Sequence, residues 1–295
     1  MGAGHEYFVT MQPTELIVNS TEPGIVQLIL NRPAQLNAWT RSLEAAFFTA
    51  LDAAAADPKV RVVVITGAGR GFCAGASMDM LGGAARPTER AGRRQLSELA
   101  EFPKPVIAAI NGPAAGLGLV LALWCDIRIC AVDAKLTTAF ARLGLVAEHG
   151  VAWLLPRIVG RAHASDLLLS GRTITGAEAE AIGLVNRAVE GAETLIDAMA
   201  YARDLVNSGA PTSWRTIKRQ LVDADRLSPD SAYQQATDLM VAALASADHR
   251  EGVAAWREKR APRFAPAAPN AKGGHRFETP GLHAVAAAEL TGQDS

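Results

Sequence analysis

The chain has 295 residues, 49% hydrophobic, 20% charged and 5% aromatic, with 29 Lys+Arg against 30 Asp+Glu and a formal net charge of -1. A chain this long buries roughly three quarters of its unfolded surface and needs no disulfide or metal staple. Its charge balance argues against a broad nucleic-acid footprint or a polybasic membrane anchor. Cys73, Cys125 and Cys130 form no C-x-x-C pair, so neither a disulfide framework nor a zinc site is expected. Residues 1–10 carry no apolar leader core, and no apolar run reaches the ~18 residues of a membrane span. The expectation is a soluble, cytoplasmic protein without nucleic-acid or membrane partners.

The first 19 or so residues read as irregular. Residues 24–30 (GIVQLIL) predict a strand that Asn31, Arg32 and Pro33 stop. Thr40 predicts the N-cap of a helix running toward Asp57. Its Leu43, Ala46, Phe47, Ala50, Leu51 and Ala54 recur at helical spacing, and Pro58 closes it. Three short apolar runs, 61–66 (RVVVIT), 105–110 (PVIAAI) and 126–131 (DIRICA), read as strands. Arg90, Arg93 and Arg94 read as the solvated face of a helix, and Asp126 and Asp133 as turn residues at the ends of a strand. Residues 119–124, apolar on every side, predict a short helix within the core.

From residue 162 onward the pattern is helical. Thr175 and Glu178 fit a capping box, and Gly183 fits a helix stop. Helices are predicted over 192–207, 212–224, 229–246 and 248–259. Beyond Pro262 the chain reads as a loose tail with a short helical stretch over 284–290. Strands mixed with helices, followed by helices only, predict an α/β core and a helical C-terminal third. The expected divisions are an N-terminal extension (1–19), a core with the active site (20–200), a helical region (201–264) and a tail (265–295).

Two Gly-rich loops follow predicted strands. Gly67-x-Gly69-x-Gly71 fails as a dinucleotide fingerprint because position 72 is Phe, and no Gly-Lys-Ser/Thr marks a P-loop. The second loop, from Gly112 through Gly116 and Gly118, opens a helix whose first N–H groups lack partners. Tight turns alone account for glycines at such places. Two N–H groups converging from these loops would equally make an oxyanion hole for a carbonyl acquiring negative charge.

From about Gly24 to Phe264 the sequence resembles the enoyl-CoA hydratase/isomerase (crotonase) family. The resemblance is carried by Leu30-Asn-Arg-Pro33 with Asn37-Ala38, by Ile65-Thr-Gly-Ala-Gly-Arg-Gly-Phe-Cys-Ala-Gly-Ala76, and by Lys104-Pro-Val-Ile-Ala-Ala-Ile-Asn-Gly112. Cys125-Asp126, Gly144-Leu145, Leu155-Pro156-Arg157, Ser170-Gly171, Gly183-Leu184-Val185, Glu251-Gly252 and the Glu258 to Phe264 segment follow in order. The resemblance implies a spiral of ββα units with a helical trimerisation region, assembled as a trimer or a dimer of trimers. It also implies an acyl-CoA substrate whose thioester enolate is stabilised, with no cofactor beyond the coenzyme A that carries it and no metal.

By the same resemblance the oxyanion N–H groups fall on Ala76 and Leu117. Main-chain contacts to coenzyme A fall around Gln35, Leu36, Ala74 and Met78, and Lys259 and Phe264 are further candidates, close to the coenzyme A of this chain or of a neighbouring subunit. Ser77 stands where the family usually has Asp. The two glutamates of a typical hydratase fall on Val120 and Phe140, neither of which can hold a proton. Some isomerases and a dehalogenase of the family carry an aspartate where Glu148 stands. Two readings of Glu148 follow: a general acid/base, or a carboxylate that merely favours the start of the next helix. His149 is the second candidate base, or a hydrogen-bonded structural group. Phe140 and Trp153 are expected to wall the acyl pocket. The implied activity is double-bond isomerisation or hydration of an enoyl-CoA with one carboxylate; the alternative is a non-catalytic acyl-CoA-binding protein that has lost the usual glutamates.

Overall fold

The computed structural model describes residues 14–82 and 93–266. Most of the N-terminal extension, Arg90 and the tail beyond 266 with its 284–290 stretch lie outside the described residues.

A six-stranded sheet forms the centre. Its strands are β1 (Leu16–Glu22), β2 (Ile25–Leu30), β3 (Val62–Gly67), β4 (Val106–Ile110), β6 (Ile127–Ala131) and β9 (Arg187–Val189), in the order β1-β2-β3-β4-β6-β9. Only the β1–β2 pair is antiparallel; Val63 faces both Val26 and Val106, and Ile107 faces Ile127. Every residue of β3 and β4 is buried, which is why these runs are continuously apolar rather than alternating. Alternate residues still face opposite layers. Val63, Ile65, Ala108 and Ile110 enter the main core, whereas Val62, Val64, Ile107 and Ala109 pack beneath Ala198, Met199 and Ala202 of a later helix. The expectation of an irregular chain through residue 19 is corrected: Leu16–Glu22 is an edge strand, and its alternation is hidden by Asn19 and Ser20.

Each turn of the chain then repeats one pattern. A central strand is followed by a short pairing in a second layer, and then by a helix. After β2, Trp39 bridges Ala76 and leads into α1 (Arg41–Ala56). After β3, Cys73 bridges Ala114, and α2 (Met78–Gly82) follows. After β4, β5 (Ala114–Ala115) pairs with β7 and leads into α3 (Leu117–Leu123); after β6, β7 (Lys135–Thr137) leads toward α4 (Val151–Ser170). The fold is the crotonase-like α/β spiral, with the ββα unit repeated.

Local chemistry sets the boundaries. Thr40 caps α1 by accepting from Leu43 N at 3.0 Å. All seven residues of α3 are buried, as its uniform apolarity requires. α4 is broken at Gly160. The small sheet ends with β8 (Ile174–Thr175), and α5 (Gly176–Ala181) follows. Of the capping box on α5 one arm forms, Glu178 N to Thr175 Oγ1 at 3.1 Å; the Glu178 carboxylate pairs with Arg172 instead, at 2.6 Å. Helices α6 (Thr194–Ser208), α7 (Pro211–Ala224), α8 (Pro229–Leu244) and α9 (Ala247–Glu258) complete the described chain.

Asp126 is more than a turn residue. Its Oδ2 accepts from Val106 N and from Lys218 Nζ, both at 2.7 Å, and Lys218 also donates to the carbonyls of Leu99 and Lys104. Burial pushes the Asp126 carboxyl up, and Lys218 opposes that shift. The pair ties α7 to the head of β4. Among the described residues no helix is long and apolar enough to cross a membrane.

Candidate active site

The second-layer pairings build one wall of a cavity of about 960 Å³, which Ala76, Leu117, Glu148 and His149 all line. Trp39 N donates to Gly75 O at 2.7 Å and Ser77 N to Trp39 O at 2.8 Å. That pattern occupies the groups on both sides of Ala76 and turns its own N–H the other way. Leu117 is the first residue of α3, so its N–H has no intrahelical acceptor. Neither amide donates to any described residue. They lie side by side, because Leu117 N is 3.7 Å from where a Cβ on Gly75 would stand.

Two glycines permit that closeness. Gly75 adopts φ +95°, and a Cβ there would stand 2.7 Å from Ala115 O. A Cβ on Gly118 would overlap the Cys73 carbonyl. The Leu117 side chain is itself buried in the core, so it leaves its amide accessible from the cavity side.

A second wall comes from the loop before α4. Trp124, at the end of α3, donates its indole N–H to His149 O at 3.0 Å. The same short helix thus presents an amide at one end and fixes the acid-bearing loop at the other. His149 (φ +55°) and Gly150 (φ +77°) are both left-handed. Gly150 is the N-cap of α4, and no side chain caps this helix. The Glu148 carbonyl accepts from Val151 N, and its carboxylate makes no capping hydrogen bond; it stands two residues before the N-cap, where a negative charge still favours the helix start. Glu148 Oε1 stands 3.8 Å from His149 Nε2, and both side chains are partly exposed.

Val120 and Phe140 are buried hydrocarbon, as the departure from the two-glutamate pattern requires. Phe140 does not line the cavity, and neither does Trp153. Trp153 stacks on Trp124 with centroids 6.2 Å apart, and the Arg157 guanidinium covers it at 3.8 Å. The expected acyl-pocket walls are thus elsewhere. Arg93 and Arg94 are no solvated helix face either. Arg93 is bidentate to Glu44, whereas Arg94 is bound by Asp52 and Glu98 and lies over Phe48.

Ala74 N donates to Leu36 O at 2.9 Å, which sets the Gln35–Leu36 turn against Ala74 next to the Trp39–Ala76 bridge, whereas Met78 is exposed at the start of α2. None of the four lines the cavity. Lys259 ends α9, and Phe264 packs near Gly252 in the C-terminal helices. Within one chain neither reaches the cavity. Sequence reasoning missed Glu44, Asp79 and Gln95. Glu44 sits in the first turn of α1, where acids are ordinary, and its partner Arg93 lies 49 residues away. No local pattern announces such a pair.

Two amides without described acceptors can hold a carbonyl oxygen that gains negative charge, and a carboxylate of the same cavity, such as Glu148, can exchange a proton with a carbon chain bound there. The family described as enoyl-CoA hydratase/isomerase matches residues 20–267. The chain is 39% identical over 260 residues to 1,2-epoxyphenylacetyl-CoA isomerase of Escherichia coli, covering 85% of this chain and 98% of that one. It is 37% identical over 263 residues to the probable enoyl-CoA hydratase echA12 of Mycobacterium bovis, covering 84% and 92%. The crystal structure of a probable enoyl-CoA hydratase/isomerase from Mycobacterium abscessus matches with a TM-score of 0.80 at 34% identity, covering 86% of this chain and 100% of that one. The chain belongs to the enoyl-CoA hydratase/isomerase (crotonase) family and is an acyl-CoA-processing enzyme.

Proposed function

We propose that this enzyme shifts the double bond of an unsaturated acyl-CoA. The N–H groups of Ala76 and Leu117 polarise the thioester carbonyl, and Glu148 carries the proton. Its carboxylate takes a proton from C2 of a 3-enoyl thioester, leaving a dienolate whose charge rests on the carbonyl oxygen. The same carboxyl returns that proton at C4, giving the 2-enoyl isomer and regenerating the carboxylate. No water is added and no second acid is needed. The observation that carries this reading is that Glu148 lines the same cavity as two amides without a described acceptor, while Val120 and Phe140 are buried hydrocarbon. A relative named as a Delta(3,5)-Delta(2,4)-dienoyl-CoA isomerase, from Arabidopsis thaliana and 31% identical over 267 residues, supports it.

Gln35, Leu36, Ala74 and Met78 contact coenzyme A beside the cavity, with Lys259 and Phe264 supplied by a neighbouring copy. Copies assemble as a trimer or a dimer of trimers. Exposed Tyr233, Val241 and Leu244 on α8 and Trp256 on α9 support an interface there. Hydration is the second reading, favoured by His149 at 3.8 Å from Glu148. An absorbance assay separates the two. A gain of conjugated-thioester absorbance from a 3-enoyl-CoA is the expected result, and its loss from a 2-enoyl-CoA means hydration. Neither change, with coenzyme A binding intact, means a non-catalytic binding protein.

A further inference from the structure

We propose that the acyl group accepted here ends in an oxygen acceptor, a hydroxyl or a carboxylate, and that Arg93 and Gln95 select it. The inference rests on the acyl-CoA reading above, but on its binding half and not on its reaction. Arg93 and Gln95 are two residues apart, outside helix and strand, with Gln95 extended at φ -113° and ψ 141°. Side chains at that spacing share a face. Both line the active cavity and also a second cavity of about 1030 Å³, so their segment is the wall between the two.

Each of the two presents a donor that nothing in the described chain satisfies. Glu44 occupies the Nε and Nη2 edge of the Arg93 guanidinium, at 3.1 and 2.5 Å. Nη1 has no acceptor among the described residues. Trp39 holds Glu44 in place through its indole N–H at 3.1 Å, so the fork cannot swing freely. The Gln95 side-chain oxygen accepts from the backbone of the 3-10 turn that follows it, Leu96–Leu99. The same oxygen accepts from Ser97 Oγ at 3.4 Å, and the NH2 has no described acceptor. These donors are preorganised, and a hydrocarbon tail laid across them would strip their water and return no hydrogen bond. A site built to bond a substrate oxygen discriminates strongly against the analogue lacking it. Because Glu44 already neutralises Arg93, the chemistry that hydroxyl and carboxylate share is the acceptor oxygen.

The test is calorimetric binding to the full chain of saturated thioesters, which the proposed reaction cannot consume. Butyryl-CoA is compared with 4-hydroxybutyryl-CoA and succinyl-CoA, and hexanoyl-CoA with 6-hydroxyhexanoyl-CoA and adipoyl-CoA. Two variants are used: Gln95→Ala, and the double change Glu44→Gln with Arg93→Gln, which leaves no carboxylate without its counter-charge. The expected result is at least tenfold tighter binding of an oxygen-bearing thioester than of its methyl-ended partner. That ratio falls toward one in both variants, while free coenzyme A binds as before. Preference for the hydroxyl over the carboxylate member identifies a neutral ligand, and the reverse an anionic one. Equal or tighter binding of the methyl-ended thioester at both lengths overturns the proposal, as does a ratio that survives both variants. Because none of these ligands turns over, failure of the isomerase assay leaves this result standing, and the reverse holds too.

Discussion

The two walls of the cavity are made of different material. The wall holding Ala76 and Leu117 is backbone, locked by β-bridges and by glycines that tolerate no added carbon. The wall holding Glu148 and His149 is side chain, partly exposed, on a loop of left-handed residues. Backbone donors persist whatever side chain sits at the position, as Leu117 shows by keeping its N–H while burying its isobutyl group. A side-chain wall is rewritten by one substitution. On the proposed function, the first wall polarises an acyl carbonyl and the second decides what happens to the carbon chain.

The contrast is broken most severely at Gly118. Gly118→Ala drives a methyl into the Cys73 carbonyl, in a place where the neighbour is main chain and cannot step aside. Overpacking of this kind costs ~3 kcal/mol or more. We expect a lowered thermal midpoint and no measurable turnover; a normal melt with normal turnover would show that the backbone wall is softer than argued here.

Glu148→Gln addresses the other wall. It keeps shape and hydrogen bonding but removes the base, and steady-state assays should show turnover down by roughly two to four orders of magnitude with coenzyme A affinity unchanged. Near-normal turnover, with His149→Ala inactive, would pass the role to His149. Leu117→Pro then removes one backbone donor and no side-chain function. Proline is tolerated at the first residue of a helix, and losing one such donor costs ~2.7–4 kcal/mol of transition-state stabilisation. A folded, coenzyme A-binding variant with wild-type rate would eliminate the proposed hole.

The smallest effect sharpens the contrast without a mutation. Burial pushes the Cys73 and Cys125 thiols up to about 12. An unfolded thiol ionises near pH 9, so the folded state holds these protons more tightly. The resulting stability is complete below about pH 9 and is lost as pH rises toward 12. At pH 8 an aromatic disulfide reagent should label neither thiol in the folded enzyme and both after denaturation. Rapid labelling of Cys73 in the native state would mean that the backbone wall opens.

Much of the fold was legible in the sequence because its elements are locally self-consistent. Thr40 with the apolar spacing of α1, the continuous runs of β3 and β4, and the all-apolar α3 each carry their own signal. β1 escaped because an edge strand buries little and alternates with polar residues. The positions of Ala76 and Leu117 came from two Gly-rich loops together with the family resemblance; neither loop alone distinguishes a turn from a binding site. Three features were not legible: the Arg93–Glu44 clamp, the stacking of Trp153 on Trp124, and the burial of Asp126. Each depends on partners tens of residues apart, brought together only by the completed spiral.

The Lys218–Asp126 pair bears on where this chain can be cut. A chain ended near residue 200, inside α6, takes from Asp126 both its cation and the helix that covers it, so the tie between α7 and the head of β4 is lost. The same cut frees the carbonyls of Leu99 and Lys104, which follow directly on the Arg93 to Ser97 wall. The helical third is therefore no detachable module: for an engineer seeking a minimal scaffold, the shortest workable chain runs past residue 218.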